Sequence, residues 1–221
     1  MKAYAQIMIP VVAVALLAGC RSSNYEKGAA TGAGLQASAD RIGQGQGKID
    51  TTLTNLNDLV NHPGDLATQF KKYSGSVSDL ESSAKDISSK VASMRGKGDE
   101  YFKAWDEQAA QIKNEDIKNR SAQRKAEMQK RFTDIKMSYT EASELFKPFL
   151  SDLKDIQTAL ATDLTTGGVS AIKGAADKAN KDSTPLKVSI DKLVAQFKDL
   201  GVALQAAAPP PPPAAQAAAP K

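Results

Sequence analysis

One apolar seam constrains this chain more than any other feature. Leu66, Phe70, Tyr73, Val77, Leu80, Ala84, Ile87, Val91, Met94, Gly98, Tyr101, Trp105, Gln108 and Ile112 alternate steps of three and four without a break. Such a period places one stripe along a single α-helix, and its seven-residue repeat calls for left-handed supercoiling against neighbouring helices. At the α-helical rise the run is roughly 70 Å long. A helix of that length with a narrow stripe cannot bury itself. It needs partners of similar length, and the rest of the sequence supplies them.

Leu35, Ala39, Ile42, Gln46, Ile49, Leu53, Leu56 and Val60 form an earlier seam, weakened by Gly43, Gly45 and Gly47. Asn61-His62-Pro63-Gly64-Asp65 separates the two, and Asp65 is suited to cap the second helix. After a turn expected over Lys113–Arg120, a third helix starts near Ser121. Its seam runs through Phe132, Ile135, Tyr139, Ala142, Phe146, Phe149, Leu153, Ile156 and Leu160, with a bend expected at Pro148. Thr165-Thr166-Gly167-Gly168 makes the next corner. Val169, Ile172, Ala176, Ala179, Ser183, Leu186, Ile190, Leu193, Phe197, Leu200 and Leu204 close the set; Ser183-Thr184-Pro185 reads as a stop and restart that keeps the register, so a kink rather than a fold boundary is expected there. No segment alternates like a strand. The expected fold is all-α, an elongated antiparallel bundle or coiled coil of long helices over residues 35–204.

The ends have a different character. Lys2 precedes an apolar run, Ile7–Ala18, too short to span a bilayer but suited to a signal peptide covering residues 1–19. The run ends in Leu17-Ala18-Gly19-Cys20, which resembles the lipobox of bacterial lipoproteins. The resemblance implies cleavage before Cys20, acylation of its thiol by palmitate-like chains, and attachment to a membrane. Cys20 is the only cysteine, so neither an intrachain disulfide nor a cysteine metal cluster can form. Arg21, in place of the Asp that resembles an inner-membrane retention signal, points to the periplasmic face of the outer membrane, with the inner membrane left open. Residues 20–34 read as a lipidated start and flexible Gly/Ala spacer, and 205–221 as a disordered Ala/Pro tail with five prolines at 209–213.

Charge excludes one large class of partner. Losing residues 1–19 removes Lys2 and no acid, lowering the net charge from +4 to +3, too little for a nucleic-acid binder. His62 is the sole histidine and sits in a turn. Asp99 with Glu100 and Asp106 with Glu107 read as solvated helix faces. No cofactor or metal is expected, and the chain reads as a non-enzyme.

Two features stand above that background. Tyr101, Phe102 and Trp105 are either a core plug or a docking surface for a partner helix in the envelope. Lys113, Lys118, Arg120, Arg124, Lys125, Lys130, Arg131 and Lys136 outnumber Glu115, Asp116, Glu127 and Asp134 by four. They form either a solvated corner or a contact for anionic lipid and lipopolysaccharide phosphates. Lys221 as a terminal lysine resembles that of the murein-linked lipoproteins, which implies a candidate attachment to peptidoglycan.

Tyr101-Phe102, Trp105, Ile112-Lys113-Asn114, Ser121 and Arg124 together resemble the densest stretch of a bacterial lipoprotein family of unknown function, DUF2959. The long-helix frame from about 25 to 203 resembles it too, as do Leu160–Leu164 and Ala171-Ile172. The glycine-interrupted first helix and the Ala/Pro tail depart from that pattern. The resemblance implies an envelope location and a long-helix shape, and brings no catalytic role. Function is therefore expected to be that of a helical scaffold, spacer or partner-binding rod, or alternatively of a module binding envelope polymer or anionic lipid.

Overall fold

A computed structural model describes residues 24–61 and 64–205. Among the described residues there are five helices, in order α1 (Asn24–Asn61), α2 (Leu66–Ala109), α3 (Glu115–Thr162), α4 (Thr166–Ala171) and α5 (Lys173–Gln205). No strand occurs among the described residues. The fold is an all-α bundle of long antiparallel helices. α1 packs most extensively on α5 and α2, α3 packs on α5, and the α2–α3 pair is the least intimate of the four neighbours. The four long helices thus close a ring in which α1 lies diagonal to α3, and α2 to α5.

The seams explain this arrangement. Every position of the last seam, from Val169 to Leu204, is buried. Tyr73, Val77 and Leu80 of α2 and Phe149, Leu153, Ile156 and Leu160 of α3 are closed off from solvent. α1 lies between two partners, so it buries a broader face than one seam: Gly45, Thr52 and Leu59 join the expected positions, while Gln46 and Val60 are only half-buried. Asp65 caps α2 by accepting from the backbone N–H groups of Ala67 and Thr68 at 3.1 and 3.2 Å.

Several boundaries differ from those expected of the sequence. Residues 24–34, expected as a flexible spacer, are helical, and Gly28, Thr31 and Gly32 are buried. Their small side chains are what allow this. A Cβ on Gly32 would lie 2.7 Å from the Gly201 carbonyl oxygen, so α1 and α5 meet backbone to backbone here. The third helix starts at Glu115 rather than near Ser121, and the turn is confined to the residues just before it. Asn114 accepts from the Ile117 N–H at 3.1 Å, and Glu115 and Asp116 complement the first-turn dipole. No apolar rhythm marks that first stretch because residues 115–120 are all exposed.

The Ser183-Thr184-Pro185 restart does not occur either. α5 runs through Pro185, with the Ser183 hydroxyl donating back to the Asn180 carbonyl at 2.7 Å. The interruption falls earlier, between Ala171 and Lys173. There Thr165 caps α4, and Gly168 is obligatory, because a Cβ on it would collide with the Asp163 carbonyl oxygen. α3 likewise remains one helix through Pro148.

Candidate functional site

One end of the bundle gathers the start of α1, the α2–α3 corner and the end of α5. Gly28 lies against the Tyr101 ring, Gly32 against Gly201, and Trp105 against Ser121. The aromatic cluster fills this near end. Tyr101 and Phe102 are buried, and Trp105 is half-buried. Tyr101 meets Trp105 edge-on at 5.5 Å between centroids, and Phe102 meets Phe132 of α3 edge-on at 5.2 Å. The indole N–H donates to the Ser121 hydroxyl at 2.8 Å, which joins α2 to α3. Burial pushes the Tyr101 phenol up, with Arg124 opposing it. These rings pack against one another inside the bundle and present only part of Trp105 outward.

Lys113, Lys118, Arg120, Arg124 and Lys125 lie at the same end, whereas Lys130, Arg131 and Lys136 climb α3 toward its middle, and the set does not converge on one point. Arg124 and Arg131 both engage Glu127 at 2.9 Å, and these two guanidinium groups hold the Glu127 carboxyl below its usual range. Lys130 pairs with Asp134 at 2.8 Å, Lys125 with Asp106 at 2.5 Å, and Lys118 with Glu115 at 3.5 Å. Such exposed pairs are weak and exchange readily. Lys113, Arg120 and Lys136 carry no ion pair among the described residues, and all three are exposed. Cys20, His62 and Lys221 lie outside the described residues, as do residues 1–19, expected as a signal peptide, and residues 206–221.

A third feature was not among the candidates read from the sequence. α2 and α3 touch near both ends and part at mid-length. Toward the near end Gly98 abuts Phe132, and the Arg95 guanidinium sits over the Tyr139 ring at 5.7 Å. Toward the far end the Tyr73 hydroxyl donates to the Leu153 carbonyl at 2.7 Å, and Lys154 pairs with Glu81 at 3.4 Å. Between those contacts lies a cleft of about 320 Å³. Ala84 and Ile87 form one wall and Phe146 and Leu150 the other; Ile42 and Ile49 of α1 with Leu186 and Ile190 of α5 form the floor. The signal was present in the seams. Ala84 and Ala142 are small residues on the two facing stripes, and Pro148 removes a donor from the α3 ladder beside them. Among the described residues, no three His, Cys, Asp or Glu side chains come together in a metal-binding group.

An antiparallel bundle with a plugged aromatic end and an open flank is the class of structure these features define. The chain belongs to the family of proteins of unknown function DUF2959, whose family model matches residues 31–200. No characterised protein and no solved structure gives a match. The matched span starts inside α1 and ends inside α5, so it takes in the corner, the aromatic plug and the cleft.

Proposed function

We propose that this chain is a non-enzymatic lipoprotein of the bacterial envelope, anchored by lipid on Cys20 to the periplasmic face of the outer membrane, where it works as a helical scaffold or partner-holding rod. The observation that carries this reading is the lipobox-like Leu17-Ala18-Gly19-Cys20, which in the sequence stands only four residues before the first described residue of the bundle, Asn24. α1 begins at Asn24, and Gly28 is already packed against Tyr101. A chain cut before Cys20 and acylated there has only Arg21, Ser22 and Ser23 between lipid and helix. Such a bundle stands directly on the bilayer. Acyl chains contribute about 0.8 kcal/mol for each buried methylene, so the anchor is effectively permanent.

This placement gives the basic corner a task. The turn carrying Lys113, and Arg120 in the first turns of α3, belong to the end where α1 starts. Their unpaired charges complement lipid phosphates within a Debye length of the surface. The opposite end, with the end of α1, the start of α2 and α4, stands off by the length of α2, whose 44 residues span about 66 Å. A helical protein of this shape holds a partner at a fixed height above the membrane. No helix among the described residues is long and apolar enough to cross a membrane, so attachment in this reading depends on Cys20.

Metabolic labelling with radioactive palmitate tests the proposal. Wild type should take up label and sediment with the outer membrane, and Cys20→Ser should do neither. Equal labelling of the two, or an unlabelled wild type, would overturn the anchor. For the corner, Lys113→Glu with Arg120→Glu should reduce sedimentation of the unacylated chain with vesicles rich in phosphatidylglycerol. Unchanged sedimentation removes the corner from the reading and leaves the anchor standing.

A further inference from the structure

The cleft between α2 and α3 is a place where apolar surface is left uncovered. Ile87, Phe146 and Leu150 are half-buried although each lies on or beside a seam. Contiguous apolar surface in a concave setting with a few polar groups at its edge is the character of a ligand site. Its volume of about 320 Å³ is at the small end of ligand pockets, room for one flexible apolar chain.

Two observations narrow the occupant. The α2–α3 contacts at Arg95–Tyr139 and at Tyr73–Leu153 bound the cleft along the bundle axis, so a partner helix finds no continuous track. The rim is cationic. Lys85 and Lys147 are exposed there, and Lys147 has no ion pair among the described residues. Among the described residues Glu81 is the sole acid lining the cleft, and it is held by Lys85 at 3.1 Å and Lys154 at 3.4 Å. Those two ammonium groups keep its carboxyl ionised and engaged.

We propose that the α2–α3 cleft binds one molecule of a free fatty acid, its chain lying over Ile87, Phe146 and Leu150 and its carboxylate meeting Lys147 at the rim. An apolar trough supplies most of the binding through burial of methylene groups. The lysine fixes which end of the chain stays outside, because a carboxylate in contact with an ammonium forms a charge-assisted hydrogen bond. Gly45 of α1 keeps the trough deep, since a Cβ there would lie 2.8 Å from the Ile87 side chain. This site is separate from the lipid on Cys20 and does not depend on it.

The test uses residues 20–221 carrying Cys20→Ser, which contain the whole described bundle with its core, stripped of bound lipid and free of detergent. cis-Parinaric acid is titrated by its fluorescence and displaced with lauric acid. The expected result is one saturable site per chain. Ala84→Phe and Ser143→Phe, on opposite walls, should each abolish it while circular dichroism shows the helices retained. Lys147→Glu should weaken binding about tenfold and Lys147→Arg should not, and dodecanol should displace about tenfold less well than laurate. No saturable binding by the parent chain overturns the proposal. So does binding that survives both wall substitutions in folded protein, or binding indifferent to Lys147→Glu and to the carboxylate. A lysophospholipid displacing the probe far better than laurate overturns the free fatty acid as occupant.

Discussion

The α1–α5 and α2–α3 contacts are built from the same kind of heptad seam and reach opposite ends of packing. α1 and α5 meet so closely that a Cβ on Gly201 would lie 2.9 Å from the Gly32 carbonyl oxygen. α2 and α3 touch at two places and part between them, leaving the cleft. Small residues account for both outcomes. Where two glycines face each other, the backbones close and dispersion contacts are regained. Where Ala84 and Ala142 face each other beside Pro148, the helices are pinned apart by Phe132 and Tyr139 at one side and by Tyr73 at the other, and the gap persists. A small seam residue therefore does not predict closeness by itself. The bulk of its neighbours decides the outcome.

The largest expected effect contrasts two phenylalanines on one helix. Phe149 is fully buried, whereas Phe146, three residues earlier, lines the cleft half in solvent. Phe149→Ala should cost about 3–5 kcal/mol, the range for emptying a closed core. Phe146→Ala should cost less than half as much, because its cavity is already open to solvent. Urea unfolding of both variants checks this, and equal losses would mean that the cleft is closed in solution.

Gly201→Val comes next. Its methyl groups must displace either the Gly32 carbonyl or Gln36, whose Cγ would lie 2.8 Å from the new Cβ. Overpacking of this kind costs about 1–3 kcal/mol. A melting temperature unchanged by Gly201→Val would show that α1 and α5 separate freely, and would remove the contrast between the two helix pairs.

Much of this molecule is legible in its sequence. The four seams and the Asp65 cap follow from period and capping chemistry. The cleft is less legible because a seam gives the residues that face inward without saying whether facing residues reach each other. The helical 24–34 segment escapes a sequence reading because Gly28, Thr31 and Gly32 are poor helix formers, taken one residue at a time. Burial against Tyr101 and Gly201 outweighs their propensity. The start of α3 escapes it because an exposed helix turn carries no apolar signal; its only marker is Asn114 followed by two acids. Pro185 suggests a restart, yet a proline within a packed helix loses one hydrogen bond while the surrounding seam holds the chain in register.

Tyr73 offers a smaller test at the far side of the cleft. Its hydroxyl donates to the Leu153 carbonyl, and burial pushes the phenol up from its usual value of 10.0. Tyr73→Phe should cost about 1 kcal/mol at neutral pH, the ordinary worth of one hydrogen bond. The sign with pH is fixed by the raised folded-state pKa. The contribution is fully present below pH 10 and is lost as pH rises toward the folded value, because the unfolded phenol ionises first. Wild type should therefore lose stability above pH 10 faster than Tyr73→Phe. Parallel alkaline profiles would place Tyr73 in contact with water.

Gly47→Ala is the smallest change and runs the other way. Nothing lies within 4 Å of a Cβ placed there, and the residue is exposed on α1. Alanine should therefore stabilise the bundle by up to about 1 kcal/mol through helix propensity alone. Gly45, two residues earlier and buried, faces the Ile87 side chain at 2.8 Å. Gly45→Ala gains the same propensity but must push Ile87 into the cleft, so its net effect should be smaller than that of Gly47→Ala. Its effect on parinarate binding should be larger, because the shifted Ile87 occupies space the chain needs. If both alanines stabilise equally and neither touches binding, Ile87 moves without consequence and the cleft is wider than its walls imply. If Gly45→Ala alone weakens binding, one methyl group separates the helix-forming demand on α1 from the demand of the cleft, and the glycine there is explained by the site rather than by the fold.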